Sequence, residues 1–323
     1  MNLHQLRALL EVMRQGLSVS AAAKALHASQ PGVSRQILEL ERELEVEIFV
    51  RDRNRLIGVT EPGSRLIEIA RRVLQDTDSM YNIARDHGHS GIGSLTIATT
   101  HTHAYYTLPQ VVRRFSDRYP RVQLRLREAT PHGCLEALGS SEADVAIVTE
   151  SAKVHSQIAQ LPAYRLSRCI AVPVGHPLLR VRSLTIRALA SHPLIAYDPS
   201  FSSRRAIDLA FSQEGLQPTI ALTVIDADVG KRYAALGLGV ALLPTIAFDA
   251  KVDRKLRIRR IDHLVEQSTV FVCVRKNSYL RTHLCTFIAM FAPHVASHIA
   301  SGRISSESSM AAFPAQHIPV LGL

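Results

Sequence analysis

The most informative stretch of the chain, residues 20–63, reads SAAAKALHASQPGVSRQILELERELEVEIFVRDRNRLIGVTEPG. Together with Val19, its first part places apolar residues three, four and seven positions apart, which predicts a short amphipathic helix. After a brief turn, Ser29 is a typical N-cap, and Pro31 lies in a first helical turn, where its missing N–H does no harm. A buried stripe with helical spacing follows at Val33, Ile37, Leu40 and Leu44. The stretch therefore predicts two helices joined by a tight turn.

The outward face of the second of these helices begins with polar side chains. Its candidate DNA-contacting residues are Ser29, Gln30, Pro31, Ser34 and Arg35. Hydrogen-bonding side chains near a helix N-terminus are suited to enter the DNA major groove, and the helix dipole favours nearby phosphates. A further helix is predicted upstream from the spacing of Leu6, Leu9, Leu10 and Met13. Three helices thus precede the β-prone part of the stretch.

Two short β-prone runs, 48–50 and 56–60, follow these helices. Between them, Arg51, Arg53 and Arg55 lie at the predicted tip of a hairpin, a wing that reaches phosphates or the minor groove. Three short amphipathic helices alone are more typical of a small helical bundle. The ordered combination of tight turn, capped polar helix and arginine-tipped hairpin instead favours a winged helix-turn-helix domain over residues 1–60.

A long helix is predicted from residue 61 to about residue 86. Its apolar and small residues recur with spacings of four and three, at Leu66, Ala70, Val73, Thr77, Met80 and Ala84. Such a seam is typical of a helix that packs on its own domain, or of a helix that pairs with the same helix of a second copy of the chain. Because a Gly-, His- and Ser-rich break at residues 87–93 follows, we interpret residues 61–90 as a linker that holds a homodimer. Two-fold pairing supplies the symmetry of a DNA-reading dimer.

The net charge of +10 does not lie in this N-terminal part. Residues 1–90 contain 12 Lys and Arg against 12 Asp and Glu, whereas the remainder contains the other 26 and 16. That excess suits a small anionic ligand as well as a polymer. The prediction of DNA binding therefore rests on the local pattern of residues.

Beyond residue 91, β-prone runs alternate with helical stripes. The runs are 95–98, 122–126, 145–148, 169–174, 194–197, 221–224, 240–243 and 270–274. This alternation predicts parallel sheets with helices on their faces. We expect a two-lobed α/β domain, with lobe I at residues 91–163 and 268–295, lobe II at 164–267, and a ligand cleft at the carboxyl ends of the strands. Residues 296–323 predict a flexible tail.

The N-terminal stretch resembles the DNA-binding domain of LysR-type transcriptional regulators. The SQPxxSxQxxxLExxLxxxLFxR-like pattern is carried by Ser29, Gln30, Pro31, Ser34, Gln36, Leu40, Glu41, Leu44, Ile48, Phe49 and Arg51. Later stretches, from Gly93 and at 143–150 and 226–244, resemble the CysB and Cbl branch, the regulators of sulfur assimilation. The resemblance covers residues 1 to about 295. It implies a two-lobed effector domain like the periplasmic binding proteins.

Hydroxyl groups follow the predicted strands at three junctions. Thr100, Thr102 and His103 come after the first strand, Thr149 ends a later strand, and Ser202 opens a helix of lobe II. Such junctions bind oxyanions through hydroxyls and main-chain N–H groups. A lone Thr or Ser there is more often a helix cap, but three junctions meeting in one cleft favour a ligand site. The resemblance implies that the four hydroxyl residues hold the effector and that His103 replaces a usual glutamine, which adds pH-dependent charge.

The histidines and cysteines predict neither a metal site nor a redox centre. His101 and His103 have no carboxylate or cysteine close by in the sequence, and no HExxH motif is present. The four cysteines, Cys134, Cys169, Cys273 and Cys285, are far apart and are interpreted as reduced thiols of a cytoplasmic protein. We therefore expect no metal and no cofactor.

These observations predict a ligand-responsive transcriptional activator, not an enzyme. The sequence contains no Gly-rich phosphate loop, no GxSxG motif and no convincing acid–base pair. The resemblance implies control of sulfur- or cysteine-assimilation or sulfonate-utilisation genes. It makes O-acetylserine, N-acetylserine, sulfate, thiosulfate and adenosine phosphosulfate candidate effectors. The expected partners are promoter DNA, RNA polymerase and further copies of the chain in a homotetramer, with no membrane.

Two alternatives stay open. One is a LysR-type regulator of an unrelated pathway with a different small anion. The other is a two-lobed solute-binding protein. The chain begins MNLHQLRALLEVMRQG, with Arg7, Glu11 and Arg14 among its apolar residues, so this start is neither a signal peptide nor a membrane span. That start disfavours the solute-binding protein.

Overall fold

A computed structural model of the protein describes residues 1–53, 55–88, 91–149, 157–299 and 318–321. Contacts divide the chain into two compact units, Met1–Arg85 and Asp86–Leu323. Each unit has its own buried core. None of the helices within these ranges is long and apolar enough to cross a membrane.

The N-terminal unit contains three short helices, a hairpin and most of a long helix. Its elements are α1 (Leu3–Arg14), α2 (Val19–Ala25), α3 (Gln30–Leu44), β1 (Phe49–Asp52), β2 (Arg55–Val59) and α4 (Glu61–Gly88). The side chains of Asn2, Ser18 and Ser29 cap the three short helices by accepting hydrogen bonds from main-chain N–H groups. The apolar stripes of these helices meet Ile48 and Phe49 in one core. The predicted winged helix-turn-helix is confirmed.

The long helix α4 has a buried part and an exposed part. Ile67 and Ala70 are buried in the N-terminal core, and Val73 packs against it. Further along, Met80 and Tyr81 are 71% and 59% exposed. The first half of the predicted seam therefore packs on its own domain, whereas the apolar side chain of Met80 is exposed.

The second unit is an α/β domain. Its strands are β3 (Gly93–Thr99), β4 (Val122–Glu128), β5 (Val145–Thr149), β6 (Ile158–Leu166), β7 (Arg168–Pro173), β8 (Leu194–Tyr197), β9 (Ile220–Val224), β10 (Val240–Pro244), β11 (Leu256–Arg260), β12 (Ser268–Arg275) and β13 (Val320–Leu321). Its helices are α5 (His101–Tyr106), α6 (Leu108–Arg118), α7 (Pro131–Gly139), α8 (Ile186–Ala190), α9 (Ser202–Gln213), α10 (Ala227–Ala235), α11 (Thr282–Phe291) and α12 (Ala296–Ile299).

The strands form two sheets, one in each lobe. Lobe I has the strand order β13-β6-β12-β5-β3-β4, and lobe II has the order β11-β7-β10-β8-β9. Strand β3 pairs in parallel with β4 and β5, and β8 pairs in parallel with β9 and β10, as the alternation of strands and helices predicts. In contrast, β12 pairs antiparallel with β5 and β6, and β7 with β10 and β11. Both sheets are therefore mixed rather than wholly parallel.

The chain passes between the lobes twice. Ser167 joins β6 to β7, and residues 261–267 lead from β11 to β12. Since β6 pairs in the sheet of lobe I as far as Leu166, that lobe extends three residues beyond the expected boundary at 163. Residue patterns do not predict β6, which contains Pro162, or β11, which reads LRIRR.

Most of the predicted tail, residues 296–323, lies outside the described residues. Its first residues form α12, whose Ile299 is buried in the core of lobe I. Near its end, Val320 and Leu321 pair in parallel with Arg165 and Leu166 of β6. These described parts of the expected flexible tail therefore form regular structure.

Candidate functional site

The N-terminus of α3 presents a polar, exposed face. Ser29 accepts a hydrogen bond from the main-chain N–H of Gly32 at 3.2 Å, so its hydroxyl caps the helix. Gln30, Pro31 and Arg35 are exposed, and Ser34 is half-buried. The Arg35 side chain is 81% exposed and donates from Nε to Glu39 at 2.7 Å. The predicted base-reading side chains therefore lie together at one helix end.

The wing places its arginines in two different environments. Arg53 and Arg55 are exposed, and Asn54 between them lies outside the described residues. Arg51 instead donates to the carboxylate of Glu41 at 2.6 Å. That interaction makes Arg51 part of the hairpin's attachment to α3, whereas the other two arginines are available to phosphates.

A small cavity lies between the two lobes. Its volume is about 40 Å³. Its lining residues are Thr100, Thr102, His103, Thr149, Leu166, Arg168, Tyr197, Phe201, Ser203, Pro244 and Ser268. We call it the cleft cavity. Four of the five predicted effector residues are therefore brought together here, from the N-terminus of α5 and the end of β5.

The fifth predicted residue, Ser202, is not among the lining residues. It is the first residue of α9 and is buried, and its hydroxyl has no hydrogen-bond partner within the described part of the chain. Its neighbour Ser203 lines the cleft cavity instead. On the other side, the Thr102 hydroxyl lies 3.5 Å from the Tyr197 hydroxyl, so the two lobes meet at this point.

His103 is neutral in the folded protein. Burial lowers the pKa of its imidazole to about 4. The Tyr164 hydroxyl lies 3.2 Å from Nδ1, and when it donates to that atom the ring proton is on Nε2. Nε2 is buried and has no partner among the described residues. His103 is therefore an uncharged N–H donor near pH 7, and not the imidazolium that the expected pH-dependent charge requires.

This burial predicts a pH-dependent stability. An unfolded histidine titrates near pH 6.5, so the contribution of neutral His103 is complete above that pH and is lost as pH falls toward 4. The full loss is about 3 kcal/mol by linkage. We expect His103→Gln to lose less free energy of unfolding than the wild type between pH 7 and pH 4.5, as measured by urea unfolding. Parallel losses in the two proteins would contradict a buried neutral imidazole.

Sequence reasoning missed several lining residues, above all Arg168. This arginine begins β7 and is only 6% exposed. Its Nε donates to the Glu266 carbonyl at 2.9 Å, and its Nη2 donates to the Ser268 hydroxyl. An arginine at the start of the apolar run CIAVPV is a recognisable signal, because a charged side chain is seldom placed in such a strand.

A second group of side chains joins the lobes beside the cleft. His101 of α5 lies 3.0 Å from Glu128 and 3.3 Å from Asp228 of α10, and the Tyr106 hydroxyl donates to Asp228 at 2.7 Å. Burial alone would lower the pKa of His101, but the hydrogen bonds with these two carboxylates outweigh it and raise that pKa. The sequence places no carboxylate near His101, whereas the fold supplies two.

His101, Asp226 and Asp228 also form a group whose potential ligand atoms lie within 4.8 Å of one another. The partners of Asp228 are already the Tyr106 hydroxyl and the Lys231 ammonium at 3.2 Å. The arrangement is therefore that of a polar contact between lobes, and the expectation of no metal stays a prediction.

The cysteines lie in environments that disfavour the thiolate. Burial raises the pKa of Cys134 and Cys169 to about 12 and that of Cys285 to about 11. Burial also raises the pKa of Cys273, which is fully buried. All four are free thiols. They are therefore unsuited to act as reactive redox groups.

Two family models match the chain and together span both units. The model described as a bacterial regulatory helix-turn-helix protein of the lysR family matches residues 3–64, and that of the LysR substrate binding domain matches residues 88–296. The chain belongs to the LysR family of transcriptional regulators. A LysR-type regulator binds DNA through the first domain and a small effector through the second, and it is not an enzyme.

Individual relatives of this LysR-type regulator align with nearly its whole length. The transcriptional regulator SsuR of Burkholderia cenocepacia is 41% identical over 91% of this chain and 96% of that protein. The regulator Cbl of Escherichia coli K12 is 37% identical over 90% of this chain and 92% of that protein. The crystal structure of the cofactor-binding domain of Cbl aligns with a TM-score of 0.63 at 33% identity, over 66% of this chain and 94% of that one.

Proposed function

We propose that this LysR-type regulator activates sulfur- or cysteine-assimilation or sulfonate-utilisation genes in response to a small sulfur metabolite or sulfate-like anion bound in the cleft cavity. The observation that carries the proposal is the lining of that cavity. Five of its lining residues, Thr100, Thr102, Thr149, Ser203 and Ser268, carry aliphatic hydroxyls, and no carboxylate is among its described lining residues. Hydroxyl donors without a competing anion suit an oxyanion.

The size of the cavity supports the smaller candidate effectors. A volume of about 40 Å³ is far below that of pockets that enclose drug-sized molecules, which run from about 300 Å³. Sulfate, thiosulfate and the acetylserines are therefore favoured over adenosine phosphosulfate. Resemblance to CysB and Cbl supports the same chemical class, because members of that branch regulate sulfur assimilation.

A gel-shift assay tests the regulatory part of the proposal. Full-length protein is mixed with a cysteine-biosynthesis promoter fragment and with a scrambled fragment of the same length, with and without sulfate, thiosulfate or N-acetylserine. We expect the promoter to bind more tightly and one ligand to change the mobility or affinity of its complex. Equal binding to both fragments would overturn the assignment of this gene class. Unchanged promoter complexes with every ligand would overturn the effector class.

Removing one hydroxyl from the cleft cavity should weaken the binding of the effector. In Thr102→Ala, an oxygen of the bound anion loses a donor, and we expect a loss of about 1–2 kcal/mol, or about tenfold in affinity. The same variant should bind promoter DNA normally yet respond poorly to ligand, since the response requires differential binding. Calorimetry measures the affinity, and Thr107→Ala, directly after α5 and outside the described cavity lining, is the control. Equal affinity of both variants would place the ligand elsewhere.

We also propose that the exposed half of α4 holds the homodimer, that two dimers form a tetramer on DNA, and that the complex contacts RNA polymerase. Since Val73 packs on the N-terminal core, Met80 is the sharper test of the dimer. Met80→Asp would place a charge in an apolar contact and should raise the dimer dissociation constant at least about tenfold. Light scattering over a dilution series measures this, with Met80→Leu as the control. A wild-type mass distribution for Met80→Asp would refute the α4 dimer.

A further inference from the structure

We propose that lobe II of the effector domain also binds DNA, through a positively charged face that contacts phosphates without regard to sequence. This face, which we call the basic face, consists of Arg180, Arg182, Lys255, Arg257 and Arg259. The inference requires that the chain binds DNA, as members of its family do. It is independent of the effector and of the genes that are regulated.

The basic residues of lobe II are concentrated in two short segments. Residues 180–187 and 251–260 together contain nine Lys and Arg and one Asp, whereas the rest of residues 167–267 contains five Lys and Arg and eight Asp and Glu. The one acidic residue of the two segments, Asp253, is paired with Lys231 of α10 at 3.1 Å. The segments are therefore strongly positive, although the remainder of the lobe is net negative.

The fold brings the two segments together at one edge of the lobe. Strand β11 is the edge strand of the sheet of lobe II. Arg257 and Arg259 are two positions apart in this strand, so they share one face of the sheet. The Nη1 atom of Arg259 donates to the carbonyl of Leu178 at 2.9 Å and to the carbonyl of Val181. These bonds hold the start of the first segment beside the strand.

The charges of the basic face are not neutralised by neighbouring carboxylates. Arg180, Arg182, Lys255 and Arg257 are exposed. The side-chain bonds of Arg257 and Arg259 go to main-chain carbonyls, which carry no net charge. Among the residues that the structure describes, none of the five side chains has a carboxylate partner. The face is therefore available to an anionic partner.

Two observations favour DNA as that partner. Charged side chains on an edge strand also prevent its pairing with another sheet, but that role concerns the strand alone, and Arg180 and Arg182 lie outside it. Residues 1–90 contain 12 basic and 12 acidic residues, so the general attraction to DNA is not supplied by their net charge. Duplex DNA carries one negative charge per about 1.7 Å of its axis, which complements a row of cations. DNA is also the polyanion that a LysR-type regulator already binds.

The test measures how salt affects binding of the full-length protein to a scrambled duplex, so that it does not depend on the regulated genes. Wild type is compared with Arg182→Gln/Lys255→Gln, with the charge-retaining Arg182→Lys/Lys255→Arg, and with the control Arg205→Gln/Arg232→Gln. The control removes two exposed arginines from α9 and α10 of the same lobe. All four proteins should have the same melting transition, since neither Arg182 nor Lys255 makes a side-chain hydrogen bond within the described residues.

We expect Arg182→Gln/Lys255→Gln to reduce the slope of log affinity against log salt by about two, and to weaken binding at moderate salt about tenfold. The charge-retaining variant and the control should keep the wild-type slope. The inference is overturned if Arg182→Gln/Lys255→Gln keeps that slope, or if the control reduces it equally. With an unchanged slope, an altered mass in light scattering would assign the face to contacts between copies of the chain. Reduced transcription by RNA polymerase, again with an unchanged slope, would assign it to an acidic protein surface instead.

Discussion

Replacing Glu41 by alanine should destabilise the winged helix-turn-helix by about 2–4 kcal/mol, because two buried main-chain N–H groups lose their acceptor. Glu41 is 8% exposed, and its Oε1 accepts from the N–H groups of Ile48 at 2.9 Å and Phe49 at 3.1 Å. Its Oε2 accepts from Arg51, whose side chain is 36% exposed and adds less. These bonds attach the hairpin to α3.

Glu39→Ala is the matched control on the same helix. Its carboxylate pairs with Arg35, and the two side chains are 37% and 81% exposed, so losing that pair should cost less than about 1 kcal/mol. Hydrogen exchange of amides in α1, α2 and α3 of the full-length protein reports the stability of this unit. Equal protection in the two variants would show that the Glu41 network contributes no more than a surface ion pair.

Arg35→Ala should weaken binding to the specific promoter site by about 1–3 kcal/mol, up to about a hundredfold, if this side chain reads a base edge. Breaking its exposed pair with Glu39 costs little, so the guanidinium is available to DNA. Arg53→Ala should weaken specific and scrambled DNA alike, because a phosphate contact carries no sequence information. The two variants therefore separate sequence reading from general affinity.

Gel-shift titrations at several salt concentrations distinguish these outcomes. Arg53→Ala should reduce the slope of log affinity against log salt by about one, whereas Arg35→Ala should reduce the ratio of specific to scrambled binding. Arg205→Ala, an exposed arginine of α9, serves as the control for a simple change in net charge. Were Arg35→Ala to weaken both DNAs equally, α3 would be a positioning helix and not the reading one.

Local pattern was sufficient to predict the N-terminal unit, since its caps and stripes involve residues close together in the chain. Ser29 caps α3 as its position before Gln30 and Pro31 predicts. The three threonines of the cleft cavity, Thr100, Thr102 and Thr149, were also predictable, because parallel strands place their carboxyl ends at one sheet edge.

What could not be predicted depends on contacts between distant residues. Arg168 meets Ser268 across 100 positions, and His101 meets Asp228 across 127. The sequence predicted Ser202 in the cavity lining, whereas the structure places its neighbour Ser203 there. Residue periodicity does not locate a helix start to within one residue. Strand β13 pairs with β6, from which it is far removed in the sequence. It is also too short to show a residue pattern.

The order of strands in lobe I has a consequence for the growing polypeptide. Strand β12, at Ser268–Arg275, lies between β5 and β6, which are both made more than a hundred residues earlier. Until it leaves the ribosome, the nascent sheet has two unpaired inner edges that are able to join with other chains. Lobe II, by contrast, has all its strands before residue 261. Chains that terminate just before β12 should therefore contain a complete lobe II beside an unfinished, aggregation-prone lobe I.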